Sequence, residues 1–389
     1  MARVTLQTIA DRVGVSRMTV SNAFSRPDQL SRVLRDRILA AADELGYVGP
    51  DPAARALARG TTGAVGILLT DSLSYAFSDS VATAFLGAIA EELTPTGLAL
   101  TLLTASSTSD VVPARDVAMD GALVYSCDPA SPAVDLLTRR GLPLVHIDQV
   151  PQDGLTSVNV ADRDGARAAA EHLVSLGHHR VALLMSGLHG PHGLIDPVAS
   201  DLDGYASKQR LAGWLDALGP AGALITAARV PEVAFDDVRQ ATRLLLDRPD
   251  RPTAVLCFSD VIAIAVIDAA RELGLSVPGD VSVVGFDDSP AALRFRPALT
   301  TVRQDVVHKG RAAAAALIAA MRGEAKPEQL LLPTELIIRD STGPAARPPG
   351  TSPILPDGDA GEHRHGGGVD RAGVVAGTPE GDPDQAGLQ

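Results

Sequence analysis

Apolar residues in the first sixty positions recur at helical spacing. Leu6, Ile9, Ala10 and Val13 fall three or four apart behind Thr5, whose hydroxyl suits an N-cap, so a first helix is expected near 6–13. Gly14 and Val15 interrupt the pattern, Ser16 offers a second cap, and Val20 and Ala23 give a second helix near 17–24 an inward face. After a polar loop with Arg26, Pro27 and Asp28, Ser31 caps a third helix whose Leu34, Ile38, Ala41 and Leu45 share one side, and Gly46 ends it. The run Gly49-Pro50-Asp51-Pro52 is a stiff linker. Residues 53–59 form a short helix that Pro52 starts and Gly60 stops.

From Gly63 the texture changes to apolar runs of four to seven residues alternating with amphipathic stretches. Strands are predicted at 64–70, 98–103, 121–125, 144–147, 181–185, 254–258 and 281–286, with helices near 79–93, 163–176, 207–218, 236–246, 260–273 and 305–321. Such alternation is the mark of a parallel sheet covered on both faces. The fold expected is a small all-α helix-turn-helix head plus an α/β body of two Rossmann-like lobes. The last 46 residues hold ten Gly, seven Pro and no aromatic residue, which predicts a disordered tail in which His363 and His365 are incidental. The division is therefore a head at 1–48, a linker at 49–62, a body at 63–343 and a tail at 344–389.

Charge sharpens this division. Residues 1–60 carry nine Arg, no Lys and six Asp or Glu, a net +3, so the remainder carries −16 of the total −13. A basic head on an acidic body suits a protein that touches nucleic acid at one end only. The first twenty residues contain Arg3, Asp11, Arg12 and Arg17 with no signal-peptide pattern, and no stretch reaches the roughly 18 apolar residues of a membrane span. A cytoplasmic location follows, on the nucleoid when DNA is bound, with no membrane partner. Cys127 and Cys257 each close an apolar run and read as core residues, not as a disulfide or a metal site.

In a helix-turn-helix the second helix presents its first turns to base edges in the major groove. Here those positions are Arg17, Met18, Ser21 and Asn22. Arg bridges guanine O6 and N7, Asn bridges adenine N6 and N7, and Met offers apolar contact to a thymine methyl. Thr5, Ser16, Thr19 and Ser31 sit at or near helix starts, where phosphate contacts are usual. On the pattern alone, an ordinary three-helix bundle stays open.

Val4-Thr5-Leu6, Ala10, Gly14-Val15-Ser16, Thr19-Val20-Ser21, Ala41, Leu45-Gly46-Tyr47 and Ala53-Ala54-Arg55-Ala56-Leu57 together resemble the LacI/GalR family of repressors, and the likeness continues to about Asp340. The resemblance implies a body like a periplasmic sugar-binding protein that forms a homodimer or a larger assembly and binds its effector between two lobes. It makes 53–59 a hinge helix that folds on operator DNA, with Arg55 and Leu57 as DNA contacts and Leu57 as a minor-groove wedge. Read without the family, Leu57 is a packing residue in a linker helix. Arg17, Met18 and Asn22 are this chain's own choice at variable reading positions, and Gly49 is a one-residue extension before the hinge, so no operator sequence carries over. A two-fold dimer still implies a near-palindromic operator.

Ligands of such a body bind at strand carboxyl ends facing the other lobe. The candidates are Ser74, Tyr75 and Phe77 after the first strand, Asp148 after 144–147, Ser259 and Asp260 after 254–258, and, by the resemblance, Arg210 and Asp287. Aspartates and an arginine beside aromatic rings suit a sugar, polyol or nucleoside. Asp148 or Asp260 as a helix cap, and Arg210 in an interlobe ion pair, stay open as structural roles. Ser259 stands where the family usually has Asn or Asp, leaving the effector's identity open.

A solute-binding protein of a transport system would share the body but leave the head unexplained. An enzyme is disfavoured because Gly-x-Ser-x-Gly, Gly-x-x-x-x-Gly-Lys, Gly-x-Gly-x-x-Gly and His-Glu-x-x-His are all missing. The His178-His179 pair, in a turn before a strand, reads as solvated. The reading is a repressor without catalytic residues, cofactor or metal.

Overall fold

The computed structural model describes residues 4–345, apart from 50, 70–75, 78, 106–111, 128–130, 188–191, 198–201, 203, 232–234 and 325. Most of the expected tail, with His363 and His365, lies outside the described residues, as do Ser74 and Tyr75.

The head is three helices, each started by the cap its sequence offers. Helix α1 (Leu6–Val13) begins at Thr5, whose side chain accepts from the Thr8 amide, and stops at Gly14 in the left-handed region. Ser16 caps α2 (Arg17–Ser25) through the Thr19 amide, and Ser31 caps α3 (Arg32–Glu44) through the Leu34 amide. Ile9, Ala10, Val20, Ala23, Ile38, Ala41 and Ala42 bury one shared core. Phe24 and Tyr47 close its edge, ring against ring, at 5.7 Å. Helix α4 (Pro52–Arg59) starts one residue earlier than expected, because the Asp51 carboxylate caps the amides of Ala53 and Ala54 and Pro52 occupies the first turn.

The body follows as β1 (Ala64–Leu69), α5 (Ser80–Leu93), β2 (Ala99–Thr104), α6 (Pro113–Asp116), β3 (Ala122–Tyr125), α7 (Pro132–Arg139), β4 (Leu144–Ile147) and β5 (Thr156–Val160). Next come α8 (Asp162–Ser175), β6 (Arg180–Ser186), β7 (Gly193–Ile195), α9 (Tyr205–Leu218), β8 (Leu224–Val230), α10 (Phe235–Leu246), β9 (Ala254–Cys257), α11 (Asp260–Glu272), β10 (Ser282–Asp287), α12 (Pro290–Arg294) and β11 (Thr300–Gln304). Helix α13 (Val306–Met321), β12 (Gln329–Leu332) and β13 (Thr334–Ile337) complete it.

These strands form two sheets. One runs β12-β5-β4-β3-β1-β2, all parallel; the other runs β13-β11-β10-β9-β6-β8-β7, parallel except at its two antiparallel edge strands. Each is covered on both faces. In β6, Val181, Leu183 and Met185 pack one way with α8 and α9, while Ala182 and Leu184 pack the other way with α10 and α11. Among the described residues the chain passes from one sheet to the other three times, at 160–162, 304–306 and 332–334. These crossings are the covalent connections between the two lobes.

Several strands escape the apolar-run pattern. In β5 and β11, Ser157, Asn159, Thr300 and Thr301 are buried, and hydrogen bonds make this affordable: Asn159 Nδ2 donates to the Gln149 carbonyl, and Thr300 Oγ1 receives the Arg339 amide. His178 departs from expectation as well. It is buried, with Nδ1 2.9 Å from Thr253 Oγ1 and Nε2 3.0 Å from the Gly343 carbonyl, and burial lowers its pKa. The turn before β6 is covered by the chain's returning end, which no local pattern announces. Cys127 and Cys257 are both buried, and neither is in a disulfide.

Candidate functional site

Two regions gather the candidate residues. In the head, α2 carries Arg17 and Met18 outward, Met18 being 69% exposed, while Val20 anchors the opposite face in the core. Ser21 and Asn22 are half-buried one turn on, and Asn22 Nδ2 donates to Gln29 Oε1 at 3.3 Å. The exposed face of α2 therefore carries Arg17 and Met18, and its buried face carries Val20 and Ala23. Thr5, Ser16 and Ser31 use their oxygens as cap acceptors, with Ser16 Oγ 2.8 Å from Thr19 Oγ1. In α4, Arg55 is half-buried and Leu57 is 88% exposed.

The second region is a cavity of about 160 Å³ between the lobes. Tyr125 and Ser126 at the end of β3, Asp148 after β4, Phe258 and Ser259 after β9, and Asp287 at the end of β10 all reach it, joined by Arg210 of α9. Four non-glycine residues at these strand ends, Ser126, Asp148, Asp287 and Asp288, have positive φ of 53°, 52°, 114° and 54°. Such backbone costs of order 1–3 kcal/mol per residue and persists where the surroundings over-determine it. At Asp148 and Asp287 it presents a carboxylate to the cavity, whereas the Asp288 carboxylate is bound by Arg303 and Arg339.

A continuous polar line crosses that space. Lys309 Nζ donates to Asp148 Oδ2 at 2.8 Å and to Gln304 Oε1 at 3.0 Å; Gln304 Nε2 donates to Asp287 Oδ1 at 2.7 Å; and Arg210 Nη2 lies 3.8 Å from the same Asp287 oxygen. Arg210 Nε then donates to Asp162 Oδ1 at 2.8 Å, and its guanidinium stacks on Phe286 at 3.6 Å and Phe258 at 4.5 Å. Asp148 and Lys309 stand on one lobe, Gln304, Asp287 and Arg210 on the other, and Asp162 follows the first crossing.

Burial pushes the Asp287 carboxyl up to about 8, against the pull of Arg210, so it is largely protonated at neutral pH. Tyr125 is raised well above its ordinary value by burial and by the Asp148 charge, which keeps its phenol neutral. Uncharged O–H groups and carboxylate oxygens side by side supply both hydrogen-bond donors and acceptors to the cavity.

The expected site residues separate into groups. Asp148, Arg210, Ser259 and Asp287 line the cavity together. Asp260 does not: it is 0% exposed, one layer beneath Gly285, with Oδ1 accepting from Thr301 Oγ1 and Oδ2 from the Ser289 amide. It is Ser259 that caps α11, accepting from the Ile262 amide. Phe77 is 63% exposed and is not among the lining residues. Tyr125, Gln304 and Lys309 were not anticipated. Lys309 did leave a signal, being one of three lysines in the chain and lying in an alanine-rich helix.

Residues 5–49 match the lacI family of bacterial regulatory proteins, and residues 170–342 match the periplasmic binding protein-like domain. An HTH-type transcriptional regulator of Mycolicibacterium smegmatis is 38% identical over 363 residues, spanning 88% of this chain and 98% of its own length. The chain belongs to the LacI family. Like that relative, this LacI-family chain is a DNA-binding transcriptional regulator and not an enzyme. Its fold is that of the lac repressor dimer bound to operator and the anti-inducer ONPF, with a TM-score of 0.70 and 27% identity over 87% of this chain and 99% of the other. A CelR–cellobiose complex matches with a TM-score of 0.62 and 29% identity over 87% of this chain and 100% of its own. Among the described residues no helix is long and apolar enough to cross a membrane.

Proposed function

We propose that this LacI-family regulator is a repressor that binds a near-palindromic operator as a dimer and is controlled by a sugar, polyol or nucleoside in the interlobe cavity. The head at 1–48 reads DNA through Arg17, Met18, Ser21 and Asn22, with Thr5, Ser16, Thr19 and Ser31 on phosphates. Within the 49–62 linker, Arg55 and Leu57 enter the minor groove. The body at 63–343 dimerises and takes the effector on Asp148, Arg210, Ser259 and Asp287.

The observation that carries this reading is the polar line from Asp148 to Asp162, which spans both lobes and ends at the first chain crossing. A ligand that makes different contacts in the open and closed arrangements shifts their populations, and through the hinge helix it changes the spacing of two heads. The cellobiose bound to CelR and the operator bound to the lac repressor dimer support the same division of labour.

The test is selection of sequences bound by full-length protein from random duplex DNA, repeated with candidate effectors. Enrichment of a two-fold symmetric motif whose affinity responds to one effector is the expected result. Absence of any enriched motif overturns the reading.

A further inference from the structure

On the reading of the interlobe cavity as an effector site, we propose that Lys309 is a specificity-determining residue that, with Asp148, selects an uncharged polyol and rejects phosphorylated or amino-bearing analogues.

Both members of this ion pair are buried, Lys309 to 2% exposure, and both line the cavity. Among the described residues each also keeps one hydrogen-bonding position unfilled. Asp148 Oδ2 accepts from Lys309, but Oδ1 is buried with no hydrogen-bond partner among the described residues. An ammonium has three N–H donors, and Lys309 Nζ has two acceptors among the described residues, Asp148 Oδ2 and Gln304 Oε1. One acceptor and one donor on neighbouring groups match a hydroxyl, which donates and accepts at once, or two adjacent hydroxyls that divide the roles.

Charge sets the discrimination. The pair is neutral as a unit, so a phosphate drawn to Lys309 meets the unpartnered Asp148 oxygen, and an ammonium drawn to Asp148 meets Lys309. Because Lys309 and Asp148 are both buried, either mismatch leaves a buried charge uncompensated. Phe85 and Tyr125, with ring centres 5.8 and 5.6 Å from Lys309 Nζ, fix the ammonium in place. Gly310 lets α13 approach α5 closely enough to bury it, since a Cβ there would lie 2.8 Å from the Phe85 carbonyl.

The experiment is calorimetric titration of full-length protein with hexoses, pentoses and linear and cyclic polyols, together with hexose phosphates, glucosamine and adenosine. Wild type is expected to bind a neutral polyol at least about tenfold more tightly than any charged analogue, the scale of one charge-assisted hydrogen bond. Lys309→Met should lower that affinity by a similar factor. The Lys309→Met/Asp148→Asn double variant leaves no lone buried charge; it should fold with an unchanged circular dichroism spectrum and still lose the ligand. A preference for a phosphate ester or an amine, no binding of any neutral polyol, or a folded double variant with wild-type affinity each overturns the assignment. Operator binding measured alongside separates the two readings. A Lys309-dependent polyol that leaves operator affinity unchanged supports the role of Lys309 and defeats effector control, whereas operator release by a charged ligand does the reverse.

Discussion

Arg210 and Asp162 form an ion pair, Nε to Oδ1 at 2.8 Å, with almost no exposure of either side chain. Asp162 is the first residue of α8, directly after the chain first crosses between sheets, and Arg210 lies on α9, packed beside it. The pair therefore ties Arg210, which lines the cavity, to the start of α8 at the first crossing. Replacing Arg210 with Leu removes the cation but not the buried carboxylate. Loss of about 3–5 kcal/mol of stability is expected, read from urea denaturation, because an uncompensated charge stays behind. Unchanged stability would show that Asp162 is held neutral by other means.

Leu57 is exposed on a short helix and contributes nothing visible to packing. Leu57→Ala is expected to leave the melting temperature unchanged, within about 0.5 kcal/mol of stability. It should weaken specific operator binding by about tenfold or more, while weak, salt-sensitive binding to random DNA is retained. Equal loss of both kinds of binding would remove the wedge from the mechanism.

The buried Asp287 gives a pH dependence of defined sign. Its folded pKa, raised to about 8, lies far above the roughly 3.9 of an unfolded aspartate, so between about pH 4 and 8 the folded state holds a proton the unfolded state has lost. The contribution to stability is fully present below pH 4 and is lost as pH rises through 8. Asp260, pushed up to about 6 by burial, adds the same sign over a narrower window. Urea midpoints of wild type should fall between pH 5 and 8, and those of Asp287→Asn should fall less. Parallel slopes in the two proteins would count against a protonated Asp287.

Gly213 sits where α9 crosses α8. A Cβ there would lie 2.2 Å from the Arg163 carbonyl oxygen and 2.9 Å from the Ala166 Cβ, and backbone cannot give way as a flexible side chain does. Gly213→Ala is expected to cost about 1–3 kcal/mol through helix separation. It should also disturb the cavity, because Arg210 is one turn away on the same helix. A thermal melt together with effector titration checks both.

The sequence by itself determined the architecture wherever a local rule was strong. Caps at Thr5, Ser16 and Ser31, glycine stops and helical spacing of apolar residues set the head, and continuous apolar runs located the central strands, because strands buried on both faces have no polar side to show. Position after a predicted strand brought Asp148 and Ser259 forward as candidates, the family resemblance brought Arg210 and Asp287, and all four line one cavity. What the sequence could not supply was the partner of each polar group. Strands β5 and β11 carry buried Ser, Asn and Thr whose hydrogen bonds come from outside the strands, so they show no continuous apolar run and are not among the predicted strands. Asp260 reads like its neighbour Ser259, yet α11 turns it beneath Gly285 while Ser259 faces the cavity. Lys309 sits 161 residues from Asp148, and only the return of α13 to the first lobe brings ammonium and carboxylate within 2.8 Å. Local structure follows from neighbours along the chain, whereas the cost of burying a charge depends on which groups the fold has placed beside it.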